Sequence, residues 1–313
     1  MARPVHDGLV GDRALVGTPY LADPALRAEY ERDIAPRTEA ALARVLAESL
    51  GPAKRTGPAV RAIDLGSGTG AAGRALHGYF GPRLSLVEVD RLVRAPDTIR
   101  ADLSREIPDV DGRFDVVVAA HLLNELYVGE AAATRVERRA ARVRAWARAL
   151  LARGGALILI EPALRETSRE LLAVRDVLVA SGMEVVAPCF WRGPCPALVR
   201  PRDWCHDTAS SPAGARVDFS YLVLHDGGTS HAEDSSLYRV VSDPMPEKGR
   251  LRLYGCGTDG RHALVRLDRN ASPANAALDA ARRGDVIRVE RTQLGGDGLR
   301  INAETAVSRP NQI

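Results

Sequence analysis

From Val60 to about Val186 short apolar runs alternate with stretches of helical period. The runs are Ala62-Ile63-Asp64-Leu65, Leu84-Ser85-Leu86-Val87-Glu88, Phe114-Asp115-Val116-Val117-Val118-Ala119, Ala156-Leu157-Ile158-Leu159-Ile160 and Met183-Glu184-Val185-Val186. Near-continuous apolar strands separated by helices predict a parallel sheet covered on both faces. Val136, Ala140, Val143, Ala147 and Leu150 recur at i, i+4, i+7, i+11 and i+14, which predicts a helix over about 135–153 with a stripe facing that sheet. Upstream, Asp23-Pro24 reads as an N-cap followed by proline at the first helical position. Pro36 opens a second helix with Ala40, Leu42, Val45 and Leu46 apolar, and Gly51-Pro52 stops it. After Ser210-Ser211-Pro212-Ala213-Gly214 the pattern becomes β-rich, with strands expected over 219–225, 237–241, 251–254, 263–267 and 286–289. Asp226-Gly227-Gly228, Asp259-Gly260 and Gly295-Gly296-Asp297-Gly298 punctuate them, a pattern that fits a small OB-like barrel.

The expected organisation is an N-terminal helical segment over 1–55, an α/β domain over 56–215 with a cysteine-rich loop at 187–206, a β-rich domain over 216–307 and a tail over 308–313. A length of 313 residues with 45% hydrophobic composition suits such a folded chain and excludes a disordered or fibrous one. The net charge of +3 does not by itself argue for nucleic acid, but the basic residues are nearly all arginine, Lys54 and Lys248 being the only lysines. Guanidinium binds phosphate bidentately and stacks on bases, so this bias is compatible with RNA contact; a GC-rich coding sequence produces the same bias. Arg135, Arg138, Arg139, Arg142, Arg144 and Arg148 lie off the apolar stripe of their helix, where they read as a solvated face or a track for an RNA backbone. No apolar run approaches the roughly 18 residues of a membrane span, and Met1 to Asp7 is not followed by a signal-peptide core, so a cytoplasmic protein with no membrane partner is expected.

Asp64-Leu65-Gly66-Ser67-Gly68-Thr69-Gly70 follows the first strand and precedes an Ala-rich helix, where glycines allow a tight turn and close approach of backbone to a ligand. The GxGxG spacing, with Asp64 just upstream, departs from the dinucleotide GxGxxG and favours S-adenosylmethionine, hence a Rossmann-like class I methyltransferase sheet. Glu88 lies 22 residues after Gly66, where an acid would accept the ribose hydroxyls, with Asp90 as its competitor. Asp102 is placed to read the adenine amino group. The stretch from Val118 to Leu126 brings His121, Asn124 and Glu125 to the pocket side, where capping is the alternative role. Asn124, Glu125 and Glu161 are the candidates for positioning an acceptor or taking its proton.

Cys189, Cys195, Cys205 and Cys256 are separated by five, nine and 50 residues, so three thiols come from one Pro-rich loop and the fourth from the β-rich domain. Four thiolates suffice for a closed zinc or iron-sulfur site, and the spacing alone leaves cluster, zinc and buried reduced thiols all open. The loop Ala187-Pro188-Cys189-Phe190-Trp191-Arg192-Gly193-Pro194-Cys195-Pro196, followed by Asp203-Trp204-Cys205-His206, resembles the Rsm22 family of methyltransferase-like small-ribosomal-subunit proteins. Leu123-Asn124-Glu125-Leu126, Glu161-Pro162, Phe219-Ser220-Tyr221-Leu222 and the stretch from Tyr238-Arg239-Val240 through Cys256 to Gly284-Asp285 extend the likeness over most of residues 30 to 290.

The resemblance implies a seven-strand methyltransferase fold with a [4Fe-4S] cluster on Cys189, Cys195, Cys205 and Cys256. It also implies a cofactor loop at Asp64, Gly66, Ser67, Gly68 and Gly70, and action on rRNA or in assembly of the small ribosomal subunit. Two departures stand out. The segment Asp207 to Asp218, where the family has basic residues, holds one arginine, Arg216, and Lys248 alone remains of the lysines near the fourth cysteine. The expected function is S-adenosylmethionine-dependent methyl transfer to RNA. The alternatives are a noncatalytic iron-sulfur assembly factor and a small-molecule methyltransferase with a structural metal site. Oligomeric state and methyl acceptor are not encoded legibly.

Overall fold

The computed structural model describes residues 4–50, 57–225, 234–296 and 298–310. The Gly51-Pro52 stop, the Asp226-Gly227-Gly228 turn, Asp297 and the end of the tail lie outside these described residues. Asp23 caps the first long helix, α1 (Pro24–Asp33), accepting from the amides of Ala25 and Leu26, and α2 (Ala35–Ser49) buries Ala41, Leu42, Val45 and Leu46.

The expected parallel sheet is present. β1 (Val60–Leu65), β2 (Leu84–Asp90), β3 (Ile99–Arg100), β4 (Phe114–Ala120) and β5 (Leu151–Pro162) pair in the spatial order β3-β2-β1-β4-β5, all parallel. Helices α3 (Ala71–Phe80), α4 (Ala132–Leu150) and α5 (Arg165–Ala180) cross between them. The first lies with α2 on one face and the other two on the opposite face, as the two large apolar clusters show. Ala140, Val143, Ala147 and Leu150 of the expected stripe are buried, with Trp146 wholly enclosed beside them. The strand after that helix begins at Leu151, earlier than the pattern predicts.

Beyond β5 the order continues through β8 (Arg216–His225) to β6 (Glu184–Ala187), both pairs antiparallel, with β7 (Asp207–Ser210) paired to β8. Phe219 to His225 was expected in the β-rich domain; it is instead a central strand of the first sheet, with Leu157 opposite Leu224 and Ile160 opposite Tyr221. The physical reason is burial on both faces, from Phe219 to Leu224, which an isolated small sheet does not provide.

The C-terminal residues form a second sheet. β9 (Leu237–Val240), β10 (Met245–Glu247), β11 (Arg250–Gly257), β12 (Gly260–Leu267), β13 (Val286–Glu290), β14 (Gln293–Gly295), β15 (Gly298–Ile301) and β16 (Ala306–Ser308) run in the order β14-β15-β12-β11-β9-β13-β16, with β10 on β11. Among the described residues this path is open at β14 and β16, so the expected OB-like barrel is replaced by an open mixed sheet. A buried polar junction joins it to the rest: Glu48 of α2 pairs with Arg239 of β9 and accepts from the Tyr221 hydroxyl at 3.0 Å.

Candidate functional site

A cavity of about 350 Å³ opens at the carboxyl ends of β1, β2 and β4, the edge where open α/β sheets bind ligands. The glycine loop forms its floor. Gly66, Gly68 and Gly70 have φ of +77°, +49° and +77°, conformations that side chains rarely adopt. The loop is tied to β2 by the Gly66 and Ser67 amides, which donate to the Val89 carbonyl at 2.8 and 3.0 Å. The Gly68 amide donates to Asp90 Oδ2 at 2.8 Å, placing that carboxylate on the cavity wall. Glu88 is not on the wall; it pairs with Arg94 and packs beneath Gly70 and Gly73. The acid that stands at the end of the second strand and on the wall is therefore Asp90, because β2 runs two residues past the apolar pattern.

Asp64 lines the cavity and is buried, yet neither carboxylate oxygen has a hydrogen-bond partner of acceptable geometry. Burial, then the charges of Glu88 and Asp90, push its carboxyl up to about 8, and the nearby Gly73 amide offsets little of this. Ser67 Oγ, Thr69 Oγ1 and His121 Nδ1 are also buried on this cavity without partners. His121 sits in the left-handed region at φ +57°, its amide donating to the Ile160 carbonyl at 2.7 Å, and burial lowers its imidazole to about 4, so the ring is neutral at pH 7. Asp102 also faces the cavity, half-exposed; its carboxyl accepts from the Ser104 hydroxyl at 2.6 Å and is held below the usual range by that bond.

The three acceptor-side candidates separate. Glu125 lines the cavity, accepts from the Tyr20 hydroxyl at 3.3 Å and is pushed to about 7 by burial. Asn124 and Glu161 do not face the cavity. The buried Glu161 carboxylate accepts from the Leu123 and Asn124 amides at 2.9 and 3.2 Å, and Asn124 Nδ2 donates to the His121 carbonyl, so this pair braces the turn that carries Glu125. Tyr20 and Tyr30 close the cavity from the N-terminal segment, whose Arg13 donates to Asn124 Oδ1 at 3.3 Å. Sequence periodicity gives no sign of these contacts, which depend on the chain folding back over the loop.

The arginines of α4 are largely spent on this scaffold. Arg139 was expected on the outer face; it is buried, paired with Glu170 and donating to the Asn124 and Leu126 carbonyls at 2.9 Å. Arg142 donates to the Ser104 carbonyl and Arg135 pairs with Glu170.

A second constellation lies between the two sheets. Cys189, Cys195 and Cys205, from the loop joining β6 to β7, and Cys256 of β11 line one cavity of about 40 Å³. None is disulfide-bonded. Burial raises the Cys195 thiol to about 11 and the Cys205 thiol to about 12, and raises Cys256 too; neighbouring cysteines add to each shift. Helix α5 shapes the loop: Arg169 donates to the Ala197, Arg200 and Asp203 carbonyls, and Asp176 accepts from the Cys195 amide at 2.9 Å. Among the described residues no three His, Cys, Asp or Glu side chains converge so as to hold a single metal ion.

The model of one family, described as mitochondrial small ribosomal subunit Rsm22, matches residues 28–300. No curated protein matches the chain. Similar solved structures include the plantazolicin methyltransferase BpumL in complex with SAH, at 11% identity and TM-score 0.45 over 68% of this chain and 94% of that one. A SAM dependent methyltransferase from Aquifex aeolicus is 13% identical, TM-score 0.37, over 64% of this chain and 98% of that one. TrmN from Thermus thermophilus is 16% identical, TM-score 0.35, over 61% of this chain and 52% of that one.

Proposed function

The chain belongs to the Rsm22 family, and from that premise we propose that it binds S-adenosylmethionine and acts as a methyltransferase on the RNA of the small ribosomal subunit. The observation that carries the cofactor is the gathering of unpartnered buried polar atoms, above all both oxygens of Asp64, on one cavity at the sheet's carboxyl edge. A buried carboxylate without donors is costly unless a cationic or hydrogen-bonding ligand satisfies it. The ammonium group of S-adenosylmethionine meets that need, with Asp90 placed for the ribose, Asp102 for the adenine and the glycine-loop amides for close backbone contact. When bound, the cofactor supplies an electrophilic methyl group on a sulfonium. The chain's own contribution is orientation and water exclusion by Tyr20 and Tyr30, with Glu125 Oε1 able to take a proton near neutral pH. Calorimetry with S-adenosylmethionine tests this: micromolar binding by the wild type and none by Gly66→Ala is expected, and absence of binding by the wild type refutes it.

A noncatalytic assembly role is the second reading, favoured by one observation: Asn124 and Glu161 are committed to bracing, which leaves Glu125 as the one acceptor-side acid on the cavity. Methylation of isolated small subunits with labelled cofactor separates the two; cofactor binding without transfer supports the platform. Co-sedimentation with small subunits counts against a small-molecule acceptor.

For the cysteines we infer a [4Fe-4S] cluster held by Cys189, Cys195, Cys205 and Cys256. What supports it is that the four thiols, three from one loop and one from β11, line a single cavity, which suits a multi-atom cluster. Anaerobic purification with iron and sulfide analysis, repeated on Cys195→Ser, is the test: about four of each per chain is expected, lost in the variant. One zinc replaces the cluster with a zinc site, and no metal refutes both.

A further inference from the structure

The outer surface of the cysteine loop carries arginines that neither the cofactor cavity nor the thiols use, beside Trp204, which lines the cysteine cavity with one part of its ring and is partly exposed with the rest. Among the described residues five large apolar side chains are exposed, and two of them, Val199 at 80% and Trp204 at 38%, lie on this loop. The Trp204 ring stacks on His206, with centroids 6.0 Å apart and planes at 23°, so a flat aromatic surface is held in place. Arg200 and Arg202 come just before it on the loop, both exposed and neither engaged with a carboxylate in the described structure. The single carboxylate between residues 199 and 206, Asp203, is already taken by Arg261 at 2.8 Å. Neither guanidinium has a carboxylate partner on this loop, in contrast to Arg135, Arg139 and Arg142 of α4, which are spent on partners within the molecule.

Position adds a second argument. Arg169 fixes the backbone beneath this patch through three carbonyls, so the loop presents its surface without ordering cost. Arg165 lies one helical turn before Arg169 on the same face of α5, exposed. Its neighbour Glu166 acts on Arg135, on the α4 side. Because α5 starts just after the carboxyl end of β5, Arg165 stands at the sheet edge where the cofactor cavity opens.

We propose that Trp204, Arg200, Arg202 and Arg165 form a contact for single-stranded RNA, a base stacking on the indole and phosphates engaging the guanidiniums. A flat, sequence-tolerant aromatic surface beside unpaired arginines is what single-stranded nucleic acid uses. This deepens the methyltransferase reading and rests on it for the identity of the acceptor as RNA: the strand docks on the loop and continues toward the cavity.

The test uses the full-length, metal-replete protein and fluorescence anisotropy with a labelled single-stranded RNA of about 12 nucleotides, from about 50 to 200 mM salt. Iron content and S-adenosylmethionine affinity are measured on every variant, since Trp204 adjoins Cys205. Arg200→Gln with Arg202→Gln is expected to weaken binding about tenfold or more and to reduce the salt slope by about 1.4, two phosphates at about 0.7 each. Trp204→Ala is expected to weaken it at least about fivefold, and Trp204→Phe to recover most of that. Variants that bind RNA like the wild type while keeping iron and cofactor overturn the patch and leave the cofactor reading intact. A wild type that binds no RNA overturns the patch together with the RNA acceptor. Variants that bind RNA normally yet no longer co-sediment with small subunits assign the surface to a protein, which also overturns the proposal.

Discussion

Replacing Asp64 by asparagine should affect folding and ligand binding in opposite directions. The carboxyl is raised from 3.8 to about 8, with burial as the main cause. A raised carboxyl favours folding fully below the unfolded value, near pH 4, and that contribution is lost as pH climbs to about 8, where it levels off. At pH 7 the folded chain keeps a proton that the unfolded chain releases, a penalty of about 4 kcal/mol at about 1.36 kcal/mol per pH unit. Asp64→Asn removes it, so the ligand-free variant should be more stable than the wild type at pH 8 and indistinguishable near pH 4. A cationic ligand reverses the balance: its ammonium group favours the ionised carboxylate and drives the proton off. Wild-type affinity for S-adenosylmethionine should then rise about tenfold per pH unit between roughly pH 6 and 8. The variant should bind about 10- to 150-fold more weakly, the worth of a charged hydrogen bond. Calorimetry at pH 6.5 in two buffers of different ionisation heat counts the protons. Glu125 titrates in the same window, so the difference between wild type and variant isolates Asp64. If that difference is zero, the carboxylate does not face the ligand and the cofactor argument fails.

Gly66→Ala places a Cβ 3.0 Å from Leu122 at φ +77°, so it should abolish cofactor binding while the iron content stays unchanged. Glu48→Gln removes the ion-pair partner of the buried Arg239, leaving the more distant Asp207 charge, and should lower stability by up to about 3–5 kcal/mol in a denaturant titration. Gly284→Ala, at φ +86° with the new Cβ 1.9 Å from Asp207 Oδ1, should destabilise the same junction by at least about 2 kcal/mol, read as a lower thermal midpoint.

The strands of the parallel sheet are legible because their inward residues come from one continuous apolar run each, and the glycine loop because its turn demands residues that tolerate positive φ. The pattern favours Glu88 over Asp90, because hydrophobicity fades before the backbone pairing does and the choice depends on where the strand stops. Arg139 looks solvent-facing by period, but its long side chain reaches carbonyls of a neighbouring turn that no local rule connects to it. The placement of Phe219 to Leu224 was missed because a strand buried on both faces reads the same in either sheet, and only the distant partners Leu157 to Ile160 decide between them. The short strands β7, β10, β14, β15 and β16 have too few residues for alternation to stand out.

The position of β8 between β5 and β6 has a consequence for how the chain is made. β5 ends at Pro162, but its outer edge is not covered until Arg216–His225 has been synthesised, and β6 has no partner in the described sheet other than that same strand. At about 5–20 residues per second on the ribosome, the nascent chain carries an apolar, unpaired sheet edge for roughly 3–13 s. Throughout that interval the first three cysteines emerge in turn without the fourth, which follows later still on β11. The nascent chain is thus open to chaperone capture and to premature thiol chemistry together; the first hazard ends once β8 has paired, the second only once Cys256 of β11 has been made.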